Sequence, residues 1–168
     1  MPADGFAVVV RRAAPADAEA VGELTESVYR AGGFTDDEYA EELRDAAGRI
    51  EFATVLVAAI EDRVVGSLAV ATPGSPLHEL AGPDEVEVRM LAVAEDVQGR
   101  GIASRLMAAA EALAVESGAR AVVLSTEPEM HAAHRLYERR GYERVPALDR
   151  VIGRYELLAY RRALDPRA

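Results

Sequence analysis

The sequence predicts an α/β protein with a mixed sheet and helices on both of its faces. Short runs of β-branched and apolar residues alternate with longer segments of helical periodicity. One pair of runs is joined by a tight turn, which indicates an antiparallel hairpin. Another pair is joined through a helix, which indicates parallel strands with a right-handed crossover. Because the chain has 168 residues, half of them apolar, we expect residues 1–168 to form a single domain with a substantial core.

Composition excludes several classes of function. The chain has no cysteine, so disulfides, thiolate metal sites and a cysteine intermediate are excluded, and we expect no metal. Lysine is absent and the net charge is -10, which argues against nucleic acid as a partner. Met1–Gly5 lacks the features of a signal peptide, and no apolar run is long enough for a membrane span. We expect a cytoplasmic protein, with no membrane partner, from a bacterium with a GC-rich genome.

Turn and capping signals divide the first half of the chain. Pro15 suits the first turn of a helix, and Gly32-Gly33 ends it. Thr35 is predicted to cap a second helix, with Glu38 completing a capping box. Glu61–Arg63 is a tight turn between two apolar runs. We therefore predict strands at 6–11, 54–60 and 64–71 and helices at 15–29 and 35–47.

The second half is divided by glycines and a proline-rich loop. Pro73–Pro83 precedes a strand, while Gly118 and Gly141 each end a helical segment. We predict strands at 85–93, 121–126, 142–145 and 154–160 and helices at 100–117 and 129–140. The strand at 85–93, the helix after it and the strand at 121–126 form the β-α-β unit.

The connection from the strand at 85–93 into its helix predicts a phosphate-binding site, which we call the phosphate cradle. It reads Gln98-Gly99-Arg100-Gly101-Ile102-Ala103-Ser104. Backbone N–H groups at a helix N-terminus carry partial positive charge and have no intrahelical acceptor. Glycine allows an anion to approach that backbone closely, so a pyrophosphate can bind there.

Two motifs in this chain resemble those of the GCN5-related N-acetyltransferase (GNAT) superfamily. Gln98–Ala103 fits its Gln/Arg-x-x-Gly-x-Gly/Ala signature. Met130–Tyr142 resembles its Asn-x-x-Ala-x-x-Leu-Tyr-x-x-x-Gly-Phe segment, with matches at Ala133, Leu136, Tyr137 and Gly141. Tyr142 replaces the usual phenylalanine, and Met130 stands where an asparagine usually helps to hold the cofactor. The predicted order of elements is also similar, so the resemblance covers nearly the whole chain.

The resemblance implies acetyl-CoA-dependent transfer of an acetyl group directly to a primary amine. It also implies a largely antiparallel sheet with a central, splayed pair of parallel strands, between which the pantetheine arm enters. Leu91, Ala92 and Val93 would offer backbone groups to that arm, and the phosphate cradle would bind the phosphates. Arg100 and Arg105 could add positive charge there. Alternatively, the first three are ordinary core residues and the arginines are exposed helix residues.

Tyr137 is the candidate general acid. In the superfamily, the tyrosine at this position lies near the thioester sulfur, and a phenol is protonated at neutral pH. The alternative is that Tyr137 only packs the end of a helix beside Leu136.

Glu87 is the candidate general base. It stands five residues before Ala92, as does the strand glutamate that deprotonates the amine in the histone-acetyltransferase branch. The alternative is a solvated glutamate or a partner of Arg89 or Arg150. Glu85 is the nearby substitute. His131 and His134 titrate in a suitable range, although a surface histidine on a helix is the commoner outcome.

The sequence is also compatible with two other functions. Gly99 and Gly101, followed by Ser104, nearly form a dinucleotide-binding motif, with Glu127 as the acidic ribose ligand. However, the third glycine is missing, the motif begins too far after Val93, and too little chain follows. The other alternative is a non-catalytic acyl-CoA sensor or scaffold. The acceptor, a small-molecule or peptide amine, and a possible homodimer cannot be read from the sequence.

Overall fold

The structure is a computed structural model, which describes residues 7–165. The fold class is α/β, as predicted. The helices are α1 Ala18–Gly32, α2 Asp37–Arg44, α3 Ala46–Phe52, α4 Ile102–Glu116 and α5 His131–Arg139. The strands are β1 Val8–Arg12, β2 Thr54–Ile60, β3 Arg63–Ala71, β4 Glu85–Val93, β5 Ala121–Thr126, β6 Glu143–Arg144, β7 Arg150–Ile152 and β8 Tyr155–Ala163. Short 3-10 turns are found at Pro15–Asp17, Glu95–Val97 and Pro146–Leu148.

The contacts divide the chain into two compact units, each made of two segments. Unit 1 comprises Met1–Ala69 and Met90–Ala109, and unit 2 comprises Val70–Arg89 and Ala110–Ala168. Strand β4 contributes its second half to unit 1 and its first half to unit 2. Among the described residues, no helix is long and apolar enough to cross a membrane.

Unit 1 contains β1, β2, β3 and the end of β4, in that order. β1 and β2 are antiparallel, from the pair Val8–Ile60 to the pair Arg12–Leu56. A buried apolar cluster joins the helices to β2 and β3; its members are Val21, Ala46, Val55, Val57 and Ala69. The continuous apolar run of β2 is therefore explained, since most of that strand is buried.

The segment predicted as one helix at 35–47 is two helices. Asp36, not Thr35, caps α2, because its carboxylate accepts a hydrogen bond from Tyr39 N at 2.9 Å. The chain then turns at Asp45, whose ψ is 66°, and the Asp45 carboxylate accepts from Gly48 N at 3.1 Å to begin α3. The prediction was wrong because an aspartate inside a helical pattern can instead bond to nearby backbone N–H groups and start a new helix.

Unit 2 contains the start of β4, then β5, β8 and β6, with β7 paired to β8. β4 and β5 are parallel, whereas β8 is antiparallel to β5, β6 and β7. The parallel ladder ends at the pair Val88–Leu124, although β4 continues to Val93 and β5 to Thr126. Parallel strands whose ladder ends early in this way match the splayed pair that the resemblance implies.

β4 carries its charges on one face. Side chains alternate along a strand, so Glu85, Glu87 and Arg89 share one face, while Val86 and Val88 occupy the other. The two valines are buried. β7 was not predicted, because it has only three residues and its two apolar side chains are exposed. It begins at Arg150, which pairs with Leu157 of β8.

Candidate active site

The phosphate cradle is a loop at the start of α4 in which two glycines have the left-handed backbone conformation. Gly99 has φ 78° and Gly101 has φ 77°, a region that residues with side chains rarely adopt. A Cβ atom at either glycine would meet nothing within 4 Å. The helix begins immediately afterwards, with a hydrogen bond from Arg105 N to Gly101 O at 3.1 Å. Its first N–H groups lack intrahelical acceptors, and an anion can approach them.

Contacts within unit 1 fix the entry to the phosphate cradle. The side-chain amide of Gln98 donates to Val93 O at 3.0 Å, which ties the loop to the end of β4. In the preceding 3-10 turn, Arg63 donates two hydrogen bonds to Asp96, at 2.7 and 2.8 Å. The Arg63 guanidinium lowers the pKa of Asp96 and offsets its negative charge beside the loop. Gln98 therefore positions the loop through its side chain.

A close approach at Gly66 fixes the position of α4. A Cβ atom there would lie 3.0 Å from Leu106 Cδ1 and 3.1 Å from Ile102 Cγ2. Ile102 and Leu106 are buried, whereas Ala103 and Ser104 are half-buried in the first helical turn. The backbone of the phosphate cradle is thus attached to a helix that packs tightly over β3. Arg100 and Arg105 are exposed.

β4 departs from regular strand geometry beside the predicted pantetheine segment. Met90 has φ 57°, which is uncommon for a residue other than glycine and indicates a local distortion of the strand. Ala92 and Val93 are buried and Leu91 is half-buried, so their side chains do serve the core. Backbone distortions of this kind concentrate at functional sites, and this one directly precedes the residues predicted to offer backbone groups.

Glu87 is almost completely buried, with 1% of its surface exposed. Its Oε2 accepts hydrogen bonds from three consecutive backbone N–H groups, those of Glu79 (2.7 Å), Leu80 (2.7 Å) and Ala81 (3.3 Å). No residue in 7–165 donates a hydrogen bond to Oε1. The alternative of a solvated strand glutamate is therefore wrong. The loop orients the carboxylate through one oxygen and leaves the other as an acceptor.

Arg89 and Arg150 contact Glu79, not Glu87; we call these three residues the Glu79 cluster. Arg89 Nη1 lies 3.5 Å from Glu79 Oε1, and Arg150 Nη2 lies 3.4 Å from Glu79 Oε2. Arg150 Nε is buried and has no hydrogen-bond partner within the part of the chain that the structure describes. The interpretation of Glu87 as a partner of these arginines is thus wrong. Sequence reasoning missed the cluster, and no local signal in the sequence indicates it.

Tyr137 is buried on α5 between two other aromatic rings. Its ring centroid lies 5.8 Å from that of Tyr142 and 6.0 Å from that of Tyr160. Burial, with a smaller contribution from Tyr160, raises the pKa of Tyr137 above its usual range. Tyr142 donates its hydroxyl hydrogen to Glu111 at 3.2 Å, whereas no described residue bonds to the Tyr137 hydroxyl. Tyr137 thus holds its proton at neutral pH, and no acceptor among residues 7–165 competes for it.

Comparison with known proteins identifies the family. The model of the acetyltransferase (GNAT) family matches residues 18–142, most of the chain. The chain belongs to the GNAT acetyltransferase family. No curated protein matches its sequence significantly.

Solved structures of acetyltransferases share the fold. An acetyltransferase of Staphylococcus aureus Mu50 has a TM-score of 0.77 and 13% identity, covering 95% of this chain and all of that one. The PaiA N-acetyltransferase of Thermoplasma acidophilum, in complex with coenzyme A, has a TM-score of 0.72 and 14% identity, over 91% and 98% of the two chains. YncA of Salmonella typhimurium, with its cofactor acetyl-CoA, has a TM-score of 0.71 and 22% identity, over 95% of each.

Membership of the GNAT family overturns the dinucleotide alternative. The antiparallel pairs around β8 also contradict the parallel sheet that it requires. Glu127, the ribose ligand of that alternative, lies at the end of β5. Burial, followed by the charge of Glu129, raises the pKa of Glu127 to about 7.

The remaining candidates have structural contacts. Glu85, the substitute base, accepts hydrogen bonds from Gly82 N at 3.1 Å and from Arg161 at 2.8 Å. Met130, at the usual asparagine position of GNAT proteins, accepts a hydrogen bond through sulfur from Thr126 at 3.4 Å. His131 is exposed, as expected for a surface histidine on a helix, and His134 is half-buried against the carbonyl of Glu127. Within residues 7–165, no group of three or more His, Cys, Asp or Glu side chains could hold a metal ion.

Proposed function

We propose that this protein transfers the acetyl group of acetyl-CoA directly to a primary amine. The observation that carries the proposal is the phosphate cradle at the N-terminus of α4. Its two glycines have left-handed backbone conformations, and the space where a Cβ atom would lie is open at both. Its chemistry fits a pyrophosphate, and the coenzyme A and acetyl-CoA complexes of the two neighbours support the same donor here. The family match crosses both units, which supports one transferase domain.

Binding of the donor rests mainly on backbone groups. N–H groups of Gly99–Ser104 would hold the phosphates, and Arg100 and Arg105 would add positive charge at their edge. Gln98 would keep the loop in place through its bond to Val93 O. The backbone of Leu91–Val93 would bind the pantetheine arm in the manner of an added strand. Acetyl-CoA supplies a thioester, whose carbonyl carbon is open to attack by a neutral amine.

Proton transfer would be carried out by two buried side chains of unit 2. The amine nitrogen forms a bond to the carbonyl carbon, and the carbon–sulfur bond breaks. Glu87 would accept the proton that the amine loses, at Oε1 and directly or through a water molecule. Tyr137 would give its proton to the departing thiolate. Correct positioning of the two substrates would supply much of the remaining acceleration.

Calorimetric titration with acetyl-CoA tests the donor, with coenzyme A, NAD and ATP as controls. We expect saturable binding of acetyl-CoA and coenzyme A only, because the phosphate cradle and the pantetheine segment act together. Preference for NAD, or no binding of coenzyme A, would contradict the proposal.

Thiol release in the presence of a panel of primary amines then tests the transfer. We expect turnover that depends on both acetyl-CoA and an amine. Tight binding of acetyl-CoA without turnover on any amine would instead favour a non-catalytic sensor or scaffold.

A further inference from the structure

We propose that the amine acceptor carries a carboxylate close to its amine, as an α-amino acid does, and that Arg150 binds this carboxylate. The inference rests on the proposed acetyl transfer and specifies its substrate class. It starts from the buried Nε of Arg150, for which the described residues supply no acceptor. A buried donor without an acceptor is unfavourable, so its presence needs an explanation.

The contact between Arg150 and Glu79 is weak for an ion pair in this protein. Arg144 donates two hydrogen bonds to Asp149, both at 2.7 Å, in the parallel arrangement typical of a bound carboxylate. Arg150 instead makes one contact with Glu79, at 3.4 Å, through Nη2. Arg89 contacts the same carboxylate at 3.5 Å. The Glu79 carboxylate therefore contacts two guanidinium groups, both at long distance. Arg150 retains the capacity to bind a second carboxylate more closely.

Glu79 joins this arginine to the candidate base. Its backbone N–H donates to Glu87 Oε2 at 2.7 Å, while its side chain contacts Arg150. Glu79 therefore contacts both Arg150 and Glu87. An acceptor whose amine approaches Glu87 would place a nearby carboxylate within reach of Arg150. The planar guanidinium matches the two oxygens of a carboxylate in geometry as well as in charge.

The charge of the whole protein makes this arrangement more informative. With a net charge of -10, the molecule repels anions in general. A partly buried arginine whose Nε has no acceptor among the described residues therefore points to a specific anionic group on the substrate.

The test compares α-amino acids with their amides as acceptors. L-Leucine and L-phenylalanine are each measured against leucinamide and phenylalaninamide, with acetyl-CoA at saturation and thiol release as the signal. We expect kcat/KM to be about 10- to 100-fold higher for the acid, the range for one charge-assisted hydrogen-bonded contact. This preference would oppose the intrinsic trend, because the amine of the amide is less basic and more of it is neutral.

Variants at Arg150 assign the preference to that residue. Arg150→Gln should abolish the preference for the acid mainly through KM, while leaving the acetyl-CoA affinity unchanged, and Arg150→Lys should restore part of it. Arg120→Gln is the matched control, because Arg120 is an exposed arginine of unit 2 that pairs with Asp84. Thermal melting checks that each variant is folded. Retention of the full preference in Arg150→Gln would overturn the inference.

Failure of the inference and failure of the proposed function give different results. Transfer to amides as fast as to acids would overturn the inference and leave the transferase proposal intact. If no amine is acetylated although acetyl-CoA binds, the transferase proposal fails. The carboxylate site is then tested by calorimetry with coenzyme A present, comparing N-acetyl-L-leucine with N-acetyl-L-leucinamide. A preference for the acid that Arg150→Gln removes would support the site, and equal binding would overturn it.

Discussion

The phosphate cradle of unit 1 and the Glu87 region of unit 2, which comprises Glu87 and the loop that binds its carboxylate, use different chemical groups. The cradle uses backbone N–H groups and two left-handed glycines, and the side chain of Gln98 only ties the loop in place. The Glu87 region uses a buried carboxylate that is held by backbone N–H groups of the loop directly before β4. A backbone site binds a group common to many substrates, whereas oriented side chains can transfer protons and distinguish acceptors. Variants of the two regions should therefore affect different steps.

The largest effect is expected for Glu87→Gln. Turnover should fall by about 10²- to 10⁴-fold, the usual contribution of a general base, while the acetyl-CoA dissociation constant changes little. The glutamine oxygen can still accept the loop N–H groups, so the fold should be retained. Steady-state kinetics and calorimetry on the same sample measure both quantities.

Glu85→Gln is the control for Glu87→Gln, since Glu85 lies two residues earlier on the same face of β4. It should change turnover only a few-fold, because Glu85 is already bound by Gly82 N and Arg161. An equal loss of turnover in both variants would show that Glu87 acts through the structure of β4 alone.

A smaller loss of turnover, about 100-fold, is expected for Tyr137→Phe, which removes only the proton donor. Its acetyl-CoA affinity should remain close to that of the wild type. Tyr142→Phe is the matched control: it removes a hydroxyl that donates to Glu111 and should cost about 1 kcal/mol of folding stability, with turnover nearly unchanged. Unchanged turnover in Tyr137→Phe would contradict its role as the acid.

Gly66→Ala tests how closely α4 packs against β3 at Gly66. The added methyl group would lie about 3 Å from Ile102 and Leu106, and we expect overpacking to cost about 1–3 kcal/mol. Gly82→Ala is the control, because its methyl group would meet nothing closer than 3.5 Å. Urea denaturation should therefore separate the two variants, and equal midpoints would contradict the close approach at Gly66.

The smallest effect concerns Glu127. Burial raises the pKa of its carboxyl group to about 7. The Glu127 carboxyl group therefore binds its proton more tightly in the folded protein than in the unfolded chain. Its contribution to stability is complete below the unfolded pKa, near 4.5, and is lost as the pH rises to about 7. Glu127→Gln should match the wild type in melting temperature at pH 4.5 and exceed it by a few degrees at pH 8. A difference that does not depend on pH would contradict the raised pKa.

The elements that the sequence predicted well depend on local patterns. The bounds of β2, β4 and β5 are those expected from their apolar runs. Glycines at the ends of elements and the residue composition of strands act over a few residues. They can therefore be recognised in the sequence alone.

The parts that the sequence did not reveal depend on side-chain contacts that residue type and periodicity do not indicate. Glu79 and Arg150 are separated by 71 positions, and the use of loop N–H groups to hold Glu87 has no signature in residue type. The division at Asp45 arises from competition between a helix and a local side-chain bond, which periodicity does not resolve. The bounds of these strands were therefore predictable, whereas the environment of the candidate base was not.

The most direct test of the account is the acetyl-CoA affinity of Gly101→Ala compared with that of Gly118→Ala. Both glycines have φ near 78°, and a Cβ at either would meet nothing within 4 Å. The two variants should therefore lose similar stability from backbone strain, about 1 kcal/mol. We predict that Gly101→Ala weakens acetyl-CoA binding by about 10- to 100-fold, as expected from lost N–H contacts to a phosphate, and that Gly118→Ala binds like the wild type. Equal affinities in the two variants would contradict the cradle as the donor site.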